Sequence, residues 1–300
     1  MLKRKEKQAG EPKAPAKPKK QKAEKAPQYY RSATNIQTLN YRVYYMTKSQ
    51  RILCFLTAFA VGAFAGYLFY GGLARDQYGN ATIMTYILNV LISCISGTIA
   101  AVLYYPVREE QLLEKRRNIL KRQFRDMLEA LSTSFGTGKN VRDAFAAAHQ
   151  DMKSQYEEDA FIVKELEVIN SGINNSINVE KVLQDFAYRS GVKEIQNFAD
   201  VFEITYRKGG NINQVVRNTY IILSDEMEVA EEIRTIVYSS RNEQNMMLIM
   251  PVVLVSLIKL SSADFARNFA TPVGVMTTTV AIIIFAISYF IGRKILNIKV

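Results

Sequence analysis

Residues 52–74 read ILCFLTAFAVGAFAGYLFYGGLA, a run of 23 residues without a charged side chain that lies between Arg51 and Arg75. A helix of about 20 apolar residues is long enough to cross the hydrocarbon core of a bilayer. Two further uncharged runs reach that length, residues 77–107 and residues 268–292. The three runs predict three transmembrane helices, and therefore a membrane protein.

A shorter apolar run, Met246–Ile258, comes about ten residues before the last of these. It reaches spanning length if the helix continues toward Ser262 and the Lys259 ammonium extends to the lipid head groups. Pro251 lies inside it, and membrane helices tolerate proline better than soluble helices do. Alone, such a run is more typical of a buried core helix, but the spanning run after it favours the third of four transmembrane helices.

The basic residues are unevenly distributed around the four predicted spans. Of the 39 Lys and Arg residues, 36 fall in residues 1–51, 106–245 and 293–300, and the loops 75–82 and 259–271 hold only three. Cytoplasmic segments of membrane proteins carry the excess of Lys and Arg. We therefore expect a multi-pass protein of the cytoplasmic membrane, with both termini and residues 106–245 in the cytoplasm.

The formal net charge of +11 belongs to the N-terminal tail, because residues 1–51 hold 14 basic and three acidic residues while the rest of the chain balances. This distribution argues against a nucleic-acid-binding domain. The Lys-, Pro- and Gln-rich residues 1–28 are typical of a disordered tail. Such a tail contacts anionic membrane lipids or an acidic partner, or is simply solvated. Residues 29–50 predict an interfacial segment, because they add five tyrosines: Tyr29, Tyr30, Tyr41, Tyr44 and Tyr45.

The segment 106–245 carries apolar residues at helical spacing and shows no strand alternation bounded by hairpin signals. About six helices are predicted, near residues 107–135, 141–148, 159–170, 179–187, 195–206 and 212–236, and the last is expected to run unbroken into the third span. The fold class is all-α, a polytopic membrane protein with four transmembrane helices and a cytoplasmic bundle of about six helices. The predicted divisions are the tail 1–50, the helix pair 51–105, the bundle 106–245, the helix pair 246–292 and the C-terminal segment 293–300.

Three short segments share one pattern, a small residue, any residue, Asn, and then Val or Ile. They are Gly138-Lys-Asn140-Val, Ser176-Ile-Asn178-Val and Gly209-Gly-Asn211-Ile. Asparagine is a favoured N-cap, and glycine permits the positive φ angles at which helices often end. We interpret Asn140, Asn178 and Asn211 as helix caps rather than binding residues.

Four segments follow one another in a recognisable order: RRNILKRQFRDMLEALSTSFGTG, GKNVRDAFAAA, SGINNSINVEKVLQDFAYRSG and FADVFEITYRKGGNINQVVRNTYIILSDEME. Together they resemble the type II secretion system protein F family, in the version of the Flp/Tad pilus assembly proteins, and TadB more than TadC. The resemblance covers about Leu112 to Ile258. Its most specific part is the turn Arg207-Lys-Gly209-Gly210-Asn211-Ile. One copy of the domain, rather than two, favours the Tad pair, and the Lys- and Pro-rich tail is not part of the family pattern.

The resemblance implies a platform protein that couples a cytoplasmic secretion ATPase to the extrusion of pilin subunits. It implies a second, TadC-like platform protein as partner, assembly as a homo- or hetero-oligomer, no enzymatic activity and no cofactor. The residues agree, since no G-x-x-x-x-G-K-[ST] phosphate loop is present. The alternative is a membrane sensor or scaffold that signals through the helical domain. A transporter is disfavoured, because the spans carry essentially no mid-membrane ionisable residues.

Few residues suggest a site of their own. Glu228, Glu231 and Glu232 share a helix face by their spacing and could hold a divalent cation or meet a basic partner, although a solvated face is the simpler interpretation. Arg207, Gly209, Gly210 and Asn211 form a structural or partner-contacting turn. The lone His149 is expected at the surface or boundary of a helix. Cys54 and Cys94 fall in membrane helices, where cysteine behaves as a small apolar residue.

Overall fold

The computed structural model describes residues 27–74 and 81–296. Within these residues the protein forms two short strands and nine helices: β1 Tyr29–Arg31, β2 Gln37–Leu39, α1 Lys48–Tyr70, α2 Ile83–Gly136, α3 Val141–Gln155, α4 Phe161–Asn174, α5 Val179–Ser190, α6 Lys193–Lys208, α7 Ile212–Ser261, α8 Ala263–Phe269 and α9 Pro272–Leu296. The prediction of a helical protein is confirmed, apart from one small hairpin. The predicted tail up to residue 26, residues 75–80 of the first loop and residues 297–300 lie outside the described residues.

Four helices are long and apolar enough to cross a membrane: Lys48–Tyr70, Ile83–Gly136, Ile212–Ser261 and Pro272–Gly292. Each contains one of the apolar runs read from the sequence, including the short run around Pro251. Most large apolar side chains of these runs are exposed, for example Val61 and Met247 at 71% and 74%. Such surfaces are stable in lipid and not in water, so the chain is a membrane protein.

The helices α2 and α7 are longer than the spans that they contain. The sequence interpretation gives the second span and the helix near 107–135 as separate segments, whereas in the structure they form one helix, α2, which continues through Pro106 for 54 residues, about 80 Å. A proline removes one backbone hydrogen bond from a helix, and the turns on both sides of it keep theirs. Helix α7 continues through Pro251 for 50 residues, as predicted. Both helices therefore join an apolar span directly to the helical domain, defined here as residues 106–245.

The helices α1 and α2 approach each other through small residues. Gly62, Gly66 and Gly97 are buried between them, and the Ser96 hydroxyl donates a hydrogen bond of 2.9 Å to the Gly62 carbonyl. A Cβ atom at Gly62 would lie 2.5 Å from the Ala100 Cβ and 2.9 Å from the Ser96 carbonyl oxygen. Glycine is therefore required at Gly62 by close backbone packing, which is the usual way in which membrane helices associate.

The helical domain has an apolar core shared by the second half of α2, the helices α3 to α6 and the start of α7. Aromatic rings form its centre: the Phe124 and Phe198 centroids are 5.5 Å apart, and Phe198 and Phe202 are 5.7 Å apart. These side chains are at most 1% exposed. The core residues are those that the helical periodicity placed on one face of each helix: Leu120, Leu131, Phe145, Leu166, Val182, Phe186, Ile195 and Val216.

Residues 27–46, which we call the N-terminal strap, pack on the helical domain before α1 begins. The strands β1 and β2 pair antiparallel, with Tyr30 opposite Thr38, and the turn between them places Asn35 at φ 61°. The sequence predicted an interfacial segment here, yet Tyr41 is 1% exposed and belongs to the core of the domain. Strands of three residues are too short to show the alternation by which strands are recognised.

The two helix pairs meet at the end remote from the helical domain. The Lys259 ammonium on α7 donates to the carbonyl of Leu68 at 2.7 Å, and the Tyr70 hydroxyl lies 3.0 Å from Thr279 Oγ1 on α9. Lys259 was expected to extend to the head groups; instead its charge binds carbonyls at the C-terminal end of α1, where a cation is favoured. The short helix α8 occupies the predicted loop that follows.

Candidate functional site

The turn between α6 and α7 contains the residues Arg207, Gly209, Gly210 and Asn211. Gly209 ends α6 at φ +68°, a left-handed conformation that glycine adopts without strain. The Gly210 N–H donates to the Thr205 carbonyl at 2.9 Å, as in a Schellman motif. Gly210 itself does not have a positive φ; its lack of a side chain matters because a Cβ would lie 2.9 Å from Thr205 Cγ2.

Arg207 connects this turn to α5. Its Nη2 lies 3.0 Å from Glu203 Oε1, and its Nε lies 3.6 Å from Glu180 Oε1 in the first turn of α5. The Arg207 side chain is nevertheless 57% exposed. The turn therefore has a structural role that its contacts account for, and the exposed guanidinium is also accessible to a partner.

The three repeated segments end one helix and begin the next. The small residue is left-handed in every copy, with φ of +81° at Gly138, +58° at Ser176 and +68° at Gly209. The Asn140 side chain accepts a hydrogen bond of 2.9 Å from the Asp143 N–H, and the Asn211 side chain accepts one of 3.1 Å from Gln214. Both are N-caps.

The third asparagine of the pattern, Asn178, differs. It occupies the N-cap position of α5, but its side chain makes no capping hydrogen bond. The N–H of Lys181, which would donate to a capping side chain, donates to the Asn178 backbone carbonyl at 3.0 Å. A tight first turn therefore satisfies the donor without the side chain, and the expectation of a side-chain cap is wrong at this position.

The acidic cluster on α7 does not form a metal site. The described residues contain no group of three His, Cys, Asp or Glu side chains placed to hold a metal ion. Glu231 pairs with Arg234 on the same helix at 3.2 Å, and both side chains are more than half exposed. The proposed cation ligands Glu228, Glu231 and Glu232 instead form a solvated helix face.

An exposed apolar stripe runs along the outward side of α7. Ile222, Val229 and Ile236 are 60%, 52% and 63% exposed and recur every seven residues. The core-facing side of the same helix holds Val216 and Leu223, which are buried. Seven-residue spacing keeps side chains on one side of a helix, and Asp225 and Glu232 fall beside this stripe by their spacing. The stripe is therefore an apolar face of α7 that remains largely uncovered within the described residues.

A buried ionic network ties the N-terminal strap to the domain core. The Arg189 guanidinium on α5 donates two hydrogen bonds of 2.6 Å to the two carboxylate oxygens of Glu165 on α4. Its Nε donates to Asp185 at 2.9 Å, and the Tyr41 hydroxyl of the strap donates to Glu165 at 3.0 Å. Arg189 is completely buried. A buried charge persists only when it is paired and hydrogen-bonded in this way.

The contacts within this network shift the pKa values of Tyr41 and Arg189. Burial raises the pKa of the Tyr41 phenol well above its ordinary value, and the Glu165 carboxylate raises it further. Burial alone would lower the pKa of Arg189, but the bonded Glu165 carboxylate raises it above its ordinary value. Tyr41 is therefore neutral and Arg189 charged at every physiological pH, so the network is a permanent structural link.

Arginines on α2 hold the strap from the other side. Arg117 donates from Nε to the Tyr41 carbonyl and from Nη2 to the Arg42 carbonyl, both at 3.2 Å. Arg116 donates to the Val43 carbonyl at 3.4 Å and lies over the Tyr44 ring at 4.4 Å. The sequence assigned these arginines to topology alone; the structure shows that they also bind backbone. Their guanidinium groups are partly buried, and this burial lowers the pKa of each.

A second set of polar contacts fixes α2 within the domain. Lys121 bonds to Glu194 on α6 at 2.6 Å and to Glu226 on α7 at 3.3 Å, so one side chain joins three helices. Burial would raise the pKa of Glu194, but the bonded Lys121 lowers it. Nearby, the Tyr156 hydroxyl donates to the buried carboxylate of Asp126. Burial, together with this bond, raises the pKa of Tyr156 to about 12.

The remaining residues singled out from the sequence are one histidine and two cysteines. His149 is half-buried on α3, where burial and then Lys153 lower its pKa, and its Nε2 has no hydrogen-bond partner in the described part of the chain. Cys54 is buried, and Cys94 is exposed on the apolar part of α2. Both cysteines are free thiols.

Comparison of the chain with protein-family models, with curated proteins and with solved structures gives no match. The candidate site is therefore defined by its own geometry: a helical domain joined to two apolar helix pairs by α2, α7 and the strap, with a polar turn and an apolar, acid-flanked stripe on its surface.

Proposed function

We propose that the protein is a platform of a Flp/Tad-type pilus or a related type II secretion machine in the cytoplasmic membrane. In this role it couples a cytoplasmic secretion ATPase to the extrusion of pilin subunits. The observation that carries the proposal is the continuity of α2 and α7, two helices of 54 and 50 residues that each contain an apolar span and a part of the helical domain. An unbroken helix transmits a displacement along its length without a flexible joint.

The contacts within the helical domain support the same role. Lys121 joins α2 to α7 through Glu226 and to α6 through Glu194. The strap joins the domain to the start of α1 through Tyr41 and Arg117. A movement imposed on the domain would therefore reach three of the apolar helices together rather than one.

The proposed orientation puts residues 106–245 and both termini in the cytoplasm, on the side of the excess basic residues. The ATPase would meet the outward stripe Ile222, Val229 and Ile236, because exposed apolar side chains at regular spacing are unusual on a water-facing helix. The flanking carboxylates would favour a basic counterpart. Pilin subunits and a second, TadC-like platform protein would contact the apolar helices within the bilayer.

A binding experiment tests the proposal with the full-length chain in lipid nanodiscs and the cognate secretion ATPase. We expect binding that weakens as salt rises, because charge contacts contribute. The double variant Ile222→Ser/Val229→Ser should bind about tenfold more weakly. The control is Val201→Ser, which removes an apolar side chain from α6 that is 48% exposed, against 60% for Ile222 and 52% for Val229. ATP hydrolysis by the platform protein alone, or equal ATPase binding by all three proteins, would contradict the proposal.

A labelling experiment tests the orientation independently of any partner. A cysteine placed at Asn268, near the end of α8, should react with an impermeant thiol reagent on intact cells, and one at Ser154 on α3 should not. The background is Cys54→Ala/Cys94→Ala, because these are the two native cysteines of the chain. Labelling at Ser154 would place the helical domain on the other side and exclude a cytoplasmic ATPase as its partner.

A further inference from the structure

A cationic cavity opens where the strap, α2 and the junction of α5 and α6 meet. It has a volume of about 320 Å³ and is lined by Arg42, Arg117, Ala187, Gly191, Val192, Lys193 and Gln196. Three of these seven residues carry a positive charge, and none carries a negative one. The three cations come from three different elements, the strap, α2 and α6, so the folded domain brings them together.

Two of the three cations are held in position. The Arg117 guanidinium is fixed by its two hydrogen bonds to strap carbonyls. The Arg42 guanidinium lies 4.3 Å from the centre of the Tyr188 ring, a cation–π contact. A methyl group at Gly191 would lie 2.9 Å from Arg42 Cγ and 3.2 Å from Arg117 Nη2. The glycine therefore leaves the space that both arginine side chains border.

The cations of the cavity have no carboxylate partner within the part of the chain that the structure describes. Of the neighbouring acidic groups, Glu194 binds Lys121 and Asp185 binds Arg189, whereas Glu114 lies one turn before Arg117 on α2 and acts on it without a direct ion pair. Burial, and then the charge of Arg42, lower the pKa of Arg117 by more than the Glu114 carboxylate raises it. Two guanidinium groups that repel each other and form no direct ion pair with a carboxylate are stabilised when an anion binds between them.

The charge and the donors select a phosphate group over a single carboxylate. A phosphate monoester carries about −1.5 to −2 charges at neutral pH, whereas a carboxylate carries one. Three cations are therefore better neutralised by a phosphate than by a carboxylate. Arginine forks bind phosphate oxygens in pairs.

The position of the cavity argues for a soluble ligand rather than a lipid head group. Arg117 lies twelve residues beyond Tyr105, the end of the second apolar run, which is about 18 Å along α2. Head groups extend only about 5–7 Å beyond the hydrocarbon core. This step depends on α2 crossing a membrane and not on the pilus role.

We propose that this cavity binds the phosphate group of a soluble phosphorylated molecule, held by Arg42, Arg117 and Lys193. Since Arg42 belongs to the strap, an occupied site fastens the strap to α2 and α6. Ligand binding then stiffens the connection between the helical domain and α1. The site is separate from the stripe on α7 and from the turn at Arg207.

Calorimetric titration of the full-length chain, in nanodiscs of the zwitterionic lipid phosphatidylcholine, tests the proposal, with pyrophosphate as the probe and ionic strength held constant. We expect one site per chain. Lys193→Gln and Arg42→Gln should each weaken binding about tenfold or more, as loss of a charged hydrogen bond does. The matched control is Lys164→Gln, an exposed lysine on α4, which should bind as the unmodified protein does. Absence of binding, or equal weakening by Lys164→Gln, would overturn the proposal.

Two further measurements test whether binding stabilises the strap and whether the bound phosphate comes from a soluble molecule or from a lipid head group. Hydrogen exchange at residues 41–45 should slow when pyrophosphate binds, and Lys193→Gln should abolish this protection; unchanged exchange would overturn the link to the strap. A second titration uses nanodiscs that contain phosphatidylglycerol. If the anionic lipid prevents pyrophosphate binding in the unmodified protein, then the cavity takes a head group and the soluble source is wrong.

Discussion

The helical domain and the four apolar helices are stabilised in opposite ways. In the domain, large side chains such as Phe124 and Phe198 are fully buried, and a buried Arg189 binds Glu165. In the apolar helices the large side chains are exposed, and the residues buried between α1 and α2 include Gly62 and Gly66. Water drives the first arrangement by excluding apolar groups, whereas lipid leaves close backbone packing as the main attraction in the second. Removing side chains should therefore damage the domain, and adding them should damage the spans.

The largest effect is expected in the domain, from Arg189→Leu. The substitution leaves the Glu165 carboxylate buried without the two hydrogen bonds that Arg189 donates, with only the Tyr41 hydroxyl as donor, which costs about 3–5 kcal/mol of unfolding free energy. The matched control is Arg234→Leu, which removes an exposed pair with Glu231 and costs about 0–1 kcal/mol. Urea unfolding monitored by tyrosine fluorescence measures both. Equal costs would show that the buried network is not what holds the strap and core together.

Among the apolar helices, the largest effect is expected from Gly62→Leu. The added side chain meets Ala100 and Ser96, so α1 and α2 must separate. Overpacking of this kind costs about 1–3 kcal/mol. Val61→Leu adds bulk at the neighbouring, 71% exposed position and should leave the thermal unfolding temperature in detergent unchanged. If both variants unfold alike, then the small residues do not form the contact.

Within the domain, the three asparagines at helix starts test how much a single capping hydrogen bond contributes to stability. Asn140→Ala and Asn211→Ala each remove a capping bond and should cost about 1 kcal/mol. Asn178→Ala removes none, because Lys181 N–H bonds to the backbone there, so its cost should be clearly smaller. Denaturant midpoints of the three variants, compared at equal m-values, decide between a shared role and the difference seen in the structure.

The smallest effect concerns His149, the only histidine of the chain. Its pKa is lowered by burial, so protonation favours the unfolded state. Stability should therefore fall as pH drops below about 6.5, the ordinary histidine value, and His149→Gln should remove that part of the slope. Heteronuclear NMR of the single imidazole gives its pKa directly. A pKa above 6.5 would reverse the sign and refute the buried environment.

The comparison also explains which features could be predicted from the sequence. Charge-free runs predict apolar helices because burial in lipid depends on composition over some 20 residues, and the four helices confirm them. The core of the domain follows from helical periodicity in the same way. Continuity of α2 through Pro106 could not be predicted, because one missing hydrogen bond is offset by packing on both sides.

The network around Arg189 was missed because its members are far apart in the chain: Tyr41 and Glu165 are 124 residues apart. One local signal was present. Arg189 follows Val182 and Phe186 at seven- and three-residue spacing, so it lies on the apolar face of α5. A charged residue on an apolar face implies a buried partner. The partner itself, and the strap that joins it, depend on long-range packing.

The strap's path over α2 has a mechanical consequence. Pro106, where α2 lacks a hydrogen bond, is the natural place for that helix to bend. The strap passes this point, since Val43 and Tyr44 line a surface cleft together with Pro106 and Leu113, and Arg117 fastens it beyond the bend. The strap therefore contacts α2 both at Pro106 and eleven residues further along the helix. Contacts on both sides of a proline limit how far the helix can bend there, so the strap stiffens α2 at the position where its own backbone is weakest.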